Sequence, residues 1–128
     1  MATVAKRMTL AEFLELPETE PPSEFICGEV VQKPMPSFAH GLSANTIGAL
    51  LFIFLRRTKE GVVVVETRHA DEDEQRAYLP DVAVVLAANT PKTAAGRYRE
   101  PRGVSPDIAI EILSPDARPG RVAEKLAF

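Results

Sequence analysis

The chain has 128 residues, 45% of them hydrophobic and 26% charged, with a formal net charge of −3. That length supports one core and hence a single domain, 1–128, while the acidic balance lacks the basic excess that marks most DNA-binding domains. One cysteine, Cys27, excludes an internal disulfide and fits a reducing, cytoplasmic setting. The N-terminus carries Lys6 and Arg7 without an apolar h-region, so no secretory signal is expected. The longest apolar stretch, Ile47 to Leu55, falls well short of the ~20 residues of a bilayer span, so no membrane partner is expected.

Thr9-Leu10-Ala11-Glu12 forms a capping box, with Met8 and Phe13 at the two staple positions. A short helix from Leu10 to Leu16 follows, stopped by Pro17. Glu18 to Ser23 is an acidic, Pro-rich linker. Phe25-Ile26 and Val30-Val31 flank Cys27-Gly28, the pattern of a tight hairpin in which Gly supplies a positive φ. Between Leu42 and Thr58, Ile47, Leu50, Leu51, Phe54 and Leu55 recur at helical spacing. Gly61 is placed to serve the C-terminal end, and Arg56, Arg57 and Lys59 complement the helix dipole. The run is apolar nearly all round, which predicts a helix sandwiched against a sheet.

Gly61-Val62-Val63-Val64-Val65 lacks alternation, as expected of a strand buried on both faces. Asp71 to Glu74 read as a solvated hairpin tip between Arg68 and Arg76. A strand begins at Tyr78 and includes Pro80-Asp81-Val82-Ala83-Val84-Val85-Leu86. A polar, basic loop then carries Lys92, Arg97, Arg99 and Arg102. The last strand, Asp107 to Leu113, places Asp107, Ala109 and Glu111 on one face. Arg121 to Phe128 starts a further helix. The sum is a mixed α/β (α+β) fold: an N-terminal helix and hairpin, then helix, three-stranded meander and helix, with no strand after the last helix. The chain therefore reads as a shortened form of a longer protein.

Glu111 is the informative residue, because a carboxylate inside an Ile-rich strand is costly without a partner. If the two runs that open on Pro-Asp pair antiparallel, the start of the first lies near the end of the second, bringing Asp81 toward Glu111. Two converging carboxylates suit a hard divalent cation such as Mg²⁺ or Mn²⁺, which leaves its other positions to water and phosphate. Neutralising either one is expected to relieve repulsion. Asp107, four residues before Glu111 and roughly 13 Å away along an extended strand, reads as a strand start.

Five segments together resemble the Uma2 family (DUF820): Glu24-Phe25-Ile26-Cys27-Gly28-Glu29-Val30, Pro36 with His40, Pro80-Asp81-Val82, Pro106 to Pro115, and Glu124-Lys125-Leu126-Ala127. These small bacterial proteins are assigned to the PD-(D/E)XK nuclease superfamily. The resemblance implies a restriction-endonuclease-like core, with Asp81 and Glu111 as metal ligands and Lys125 replacing the motif lysine, whose place holds Leu113. Glu24 and His40 match family positions for orienting metal, water or phosphate; a hairpin salt bridge and helix capping are their structural alternatives. It implies a metal-dependent endonuclease hydrolysing DNA phosphodiester bonds with Mg²⁺ or Mn²⁺. The alternative is a non-catalytic DNA-binding or protein-interaction module, which the displaced lysine and acidic charge favour. The aromatic-rich strand that usually follows in the family is absent here, and the open sheet edge would suit a homodimer.

Overall fold

The computed structural model describes residues 7–100 and 105–113. Helix α1 (Leu10–Leu14) has the full capping box: Thr9 Oγ1 accepts from the Glu12 amide at 3.2 Å, and the Thr9 amide donates to Glu12 Oε2 at 2.8 Å. It stops two residues earlier than predicted, because the Glu15 and Leu16 amides bond three residues back and tighten the last turn. Strands β1 (Ser23–Ile26) and β2 (Glu29–Gln32) pair through a two-residue turn in which Cys27 (φ 52°) and Gly28 (φ 77°) both adopt positive φ. Two such residues define a type I′ turn, whose twist matches a hairpin.

Helix α2 (Phe38–Thr58) begins four residues before the predicted start, since the Ser37 side chain caps it by accepting from the His40 amide. The left-handed residue at its other end is Lys59, φ 58°, whose amide donates to Leu55 O. Gly61 has a different task. A Cβ there would collide with the Val85 carbonyl oxygen and lie 2.9 Å from Leu86 Cα, so only glycine lets β3 (Gly61–Val65) approach its neighbour.

Strands β4 (His69–Asp71) and β5 (Arg76–Tyr78) flank the acidic tip at residues 72–75, which is solvated as expected. Strand β6 (Val82–Leu86) leads through a short 3-10 turn (Ala87–Asn89) and a loop to β7 (Ile108–Ile110). All strand pairings among the described residues are antiparallel. One sheet has the order β2-β1-β5-β4 and the other β3-β6-β7. The three-stranded meander is therefore present, with the β4–β5 hairpin inserted after its first strand and added to the other sheet. The strand predicted from Tyr78 is divided: β5 ends there and β6 starts at Val82, because Pro80 carries no amide for a ladder and turns the chain from one sheet to the other. The predicted helix at Arg121–Phe128, and Lys125 with it, lies outside the described residues.

Phe13 stacks on Phe25 at 5.3 Å between ring centroids, joining α1 to the four-stranded sheet over a core that includes Leu10, Ala70 and Ala77. In the other sheet the central strand β6 is buried from Val82 to Val85. Two expectations change here. Helix α2 presents a single stripe (His40, Ala44, Ile47, Leu51, Leu55) to the interior, while Leu50 and Phe54 on its outer side are 64% and 55% exposed. Strand β3 is half-buried rather than buried on both faces, since it is an edge strand among the described residues. As a whole, α2 is long and apolar enough to cross a membrane by length and composition, unlike the shorter run from Ile47 to Leu55. Both of its ends are nonetheless engaged within the fold, His40 with Asp81 and Leu55 in the core.

Candidate active site

The site is built where the two sheets meet, around the turn that leads into β6. A residue before proline is pressed into extended backbone, and Leu79 is fixed further by its amide, which donates to Glu24 Oε1 at 2.9 Å. Its carbonyl accepts from Lys33 Nζ at 2.7 Å. Pro80 then delivers Asp81 to the mouth of β6 with only 2% of its surface exposed.

Each oxygen of Asp81 has a defined partner. Oδ2 accepts from the Ile112 amide at 2.7 Å, and Oδ1 lies 3.1 Å from both Lys33 Nζ and His40 Nε2. Lys33 follows β2 directly and also reaches Glu66 Oε2 at 3.5 Å. His40 comes from the first turn of α2. Burial pushes the Asp81 carboxyl upward, but the Ile112 amide, Lys33 and His40 together outweigh it and hold the group below the ordinary carboxylate range. Asp81 is thus a fixed, buried anion.

The ligand atoms of His40, Glu66 and Asp81 all lie within 4.8 Å of one another. One imidazole nitrogen and two carboxylates, drawn from α2, the end of β3 and the start of β6, form a suitable donor set for a divalent ion such as Mg²⁺ or Mn²⁺. Lys33 in their midst already places a positive charge among these oxygens, so the residues present fit a cation.

Strand register explains the convergence. Val65 pairs with Val82, and Val82 with Ile110. One step beyond those last rungs, Glu66 and Glu111 flank Asp81 on its two sides. This pairing makes the backbones at Asp81 and Glu111 neighbours, and the Ile112 amide donates to Asp81 Oδ2. Glu111, half-buried, is nevertheless not one of the three side chains whose ligand atoms converge. Glu24 is 3% exposed and stands behind the site, where it orients Leu79. Asp107 behaves as a strand start: its carboxylate accepts from the Leu86 amide at 2.7 Å and from Asn89 Nδ2 at 2.9 Å.

Sequence reasoning missed Lys33 and Glu66. Glu66 was within reach of register arithmetic, because a strand that pairs with β6 must end beside Asp81. Its positive φ of 48° marks the point where the ladder stops. Lys33 gave no signal of its own; only the meeting of two sheets brings it to Asp81. A separate, largely apolar cavity of about 490 Å³ lies between the C-terminal half of α2, β3 and the loop carrying Pro91, Tyr98 and Arg99. None of Lys33, His40, Glu66 or Asp81 lines it.

Residues 10–128 match the family model Uma2, described as "Putative restriction endonuclease". The chain belongs to the Uma2 family. It is also similar to the crystal structure of a putative nuclease belonging to DUF820 from Anabaena variabilis ATCC 29413, with a TM-score of 0.86 and 32% sequence identity. The similarity covers 92% of this chain and 65% of that one, so the chain spans just under two thirds of its relative's length. No curated protein matches.

Proposed function

We propose that this Uma2 chain carries the active site of a metal-dependent endonuclease that hydrolyses DNA phosphodiester bonds. The observation that carries this reading is the convergence of His40, Glu66 and Asp81 on one point, around a buried carboxylate held ionised. Asp81 takes the part of the aspartate in the PD-(D/E)XK pattern. Asp81 and Glu66 would hold Mg²⁺ or Mn²⁺ with His40, and Glu111, one register step away, is the further candidate ligand. When bound, such an ion polarises the phosphoryl oxygen and lowers the pKa of a coordinated water.

The chain's own residues do the positioning. The Ile112 amide and His40 fix the orientation of the Asp81 carboxylate, Glu24 sets the turn before it, and Pro80 stiffens that turn. Lys125 is the proposed cation for the developing charge on the phosphate. The net charge of −3 favours the competing reading, a DNA-binding or protein-interaction module without catalysis.

A plasmid-nicking assay with Mg²⁺ or Mn²⁺ against chelator separates the two. The endonuclease reading expects ion-dependent nicking that is lost in Asp81→Asn and Glu66→Gln, and Glu111→Gln tests the further ligand. DNA binding without nicking, across both ions, would select the non-catalytic module.

A further inference from the structure

We infer that the Lys33 ammonium is the resident counter-cation of the Asp81 site, and that a divalent ion enters by displacing it. The inference rests on the metal reading above and goes beyond it by naming the group that competes for the same oxygens.

An ammonium has three donors and no acceptor. Those of Lys33 face three oxygens: Leu79 O at 2.7 Å, Asp81 Oδ1 at 3.1 Å and Glu66 Oε2 at 3.5 Å. Two carboxylates and a backbone carbonyl are also what a hard divalent ion selects, and Asp81 and Glu66 supply two of the three convergent ligand atoms. Asp81 has no spare capacity on this side. Oδ1 already faces Lys33 and His40, and Oδ2 is taken by the Ile112 amide. A neutral imidazole can carry its proton on Nδ1 and offer the Nε2 lone pair to an incoming cation, but an ammonium has no lone pair to offer, repels the ion and holds the same oxygens. Departure needs only the side chain to swing. The Lys33 amide is tied to Pro22 O at 2.9 Å, which keeps the backbone in place.

The test is Mn²⁺ titration by calorimetry of the unmodified chain, Lys33→Met, Lys33→Gln and Lys33→Met combined with Asp81→Asn. Removing the ammonium is expected to tighten Mn²⁺ binding by roughly tenfold or more, the scale on which groups beside a metal ligand act. Adding Asp81→Asn should abolish it. Lys33→Gln keeps a donor for Leu79 O without the charge, and so serves if the Met variant does not fold. In the unmodified chain, acylation of Lys33 mapped by mass spectrometry should rise several-fold when Mg²⁺ is added, as the side chain leaves its oxygens. If the unmodified chain binds Mn²⁺ and neither Lys33 variant binds more tightly, the displacement is wrong and the metal site stands. An acylation rate indifferent to saturating Mg²⁺ would likewise overturn the displacement alone. No binding in any variant, with the ammonium gone, overturns both.

Discussion

At the scale of single residues, the balance around Asp81 decides what its removal does. Two bare carboxylates would repel, so neutralising one should stabilise the fold. The structure instead gives Asp81 two cationic or polar partners and an amide, which reverses the sign. Asp81→Asn leaves Lys33 without its closest carboxylate and is expected to cost about 1.5–3 kcal/mol, the range for hydrogen bonds to charged groups. Urea unfolding measures it. The pH dependence follows from the same contacts. The folded carboxyl titrates below its unfolded value, so its contribution is complete above the unfolded range near 4 and is lost as pH falls through the lower folded value. Thermal unfolding followed downward from about pH 6 should show an acid limb that is shallower in Asp81→Asn.

At the scale of elements, register places the chemistry. The Pro-Asp openings and the antiparallel pairing of the runs behind them were legible in the sequence, as were the capping box and the hairpin turn, because each is a local pattern with a local cause. Ser37 as the start of α2 and the three-residue bonds that shorten α1 were not, since competing caps differ by little energy. Burial of α2 and β3 is less than their composition suggests: an apolar segment can be covered, and only the tertiary arrangement says on which sides. Gly61 shows the same limit, because its need for a missing Cβ comes from Val85 and Leu86 across the ladder. Gly61→Ala should therefore destabilise by about 1–3 kcal/mol, as overpacking does, despite alanine's ordinary tolerance in strands. Denaturant unfolding would contradict this if the variant matched the parent.

At the scale of the molecule, two antiparallel sheets share one seam, and the site lies on it. The β2 end gives Lys33, the turn after β5 gives the Leu79 carbonyl, β3 and β6 give Glu66 and Asp81, and α2 gives His40. No single stretch of sequence holds this set, which is why Asp81 and His40 could be anticipated while Lys33 could not. The proposed substrate is a polyanion, and the net charge is −3. Binding to duplex DNA is then expected to be weak and steeply salt-dependent, carried by local basic groups. Within the described part of the loop, Lys92 lies over the Tyr98 ring at 5.3 Å; Arg97 and Arg99, with Arg102 outside the described residues, are the candidates. Replacing those three with alanine should weaken binding and flatten the salt slope by up to about 3 units. An unchanged slope would remove the loop from the interface.

Whether Asp81 anchors a divalent-cation site is decided by Mn²⁺ titration calorimetry of the unmodified chain beside Asp81→Asn. Saturable binding of Mn²⁺ by the unmodified chain and none by the folded variant are expected. Equal Mn²⁺ affinity in the two proteins, or an absence of binding that Lys33→Met does not restore, would contradict such a site.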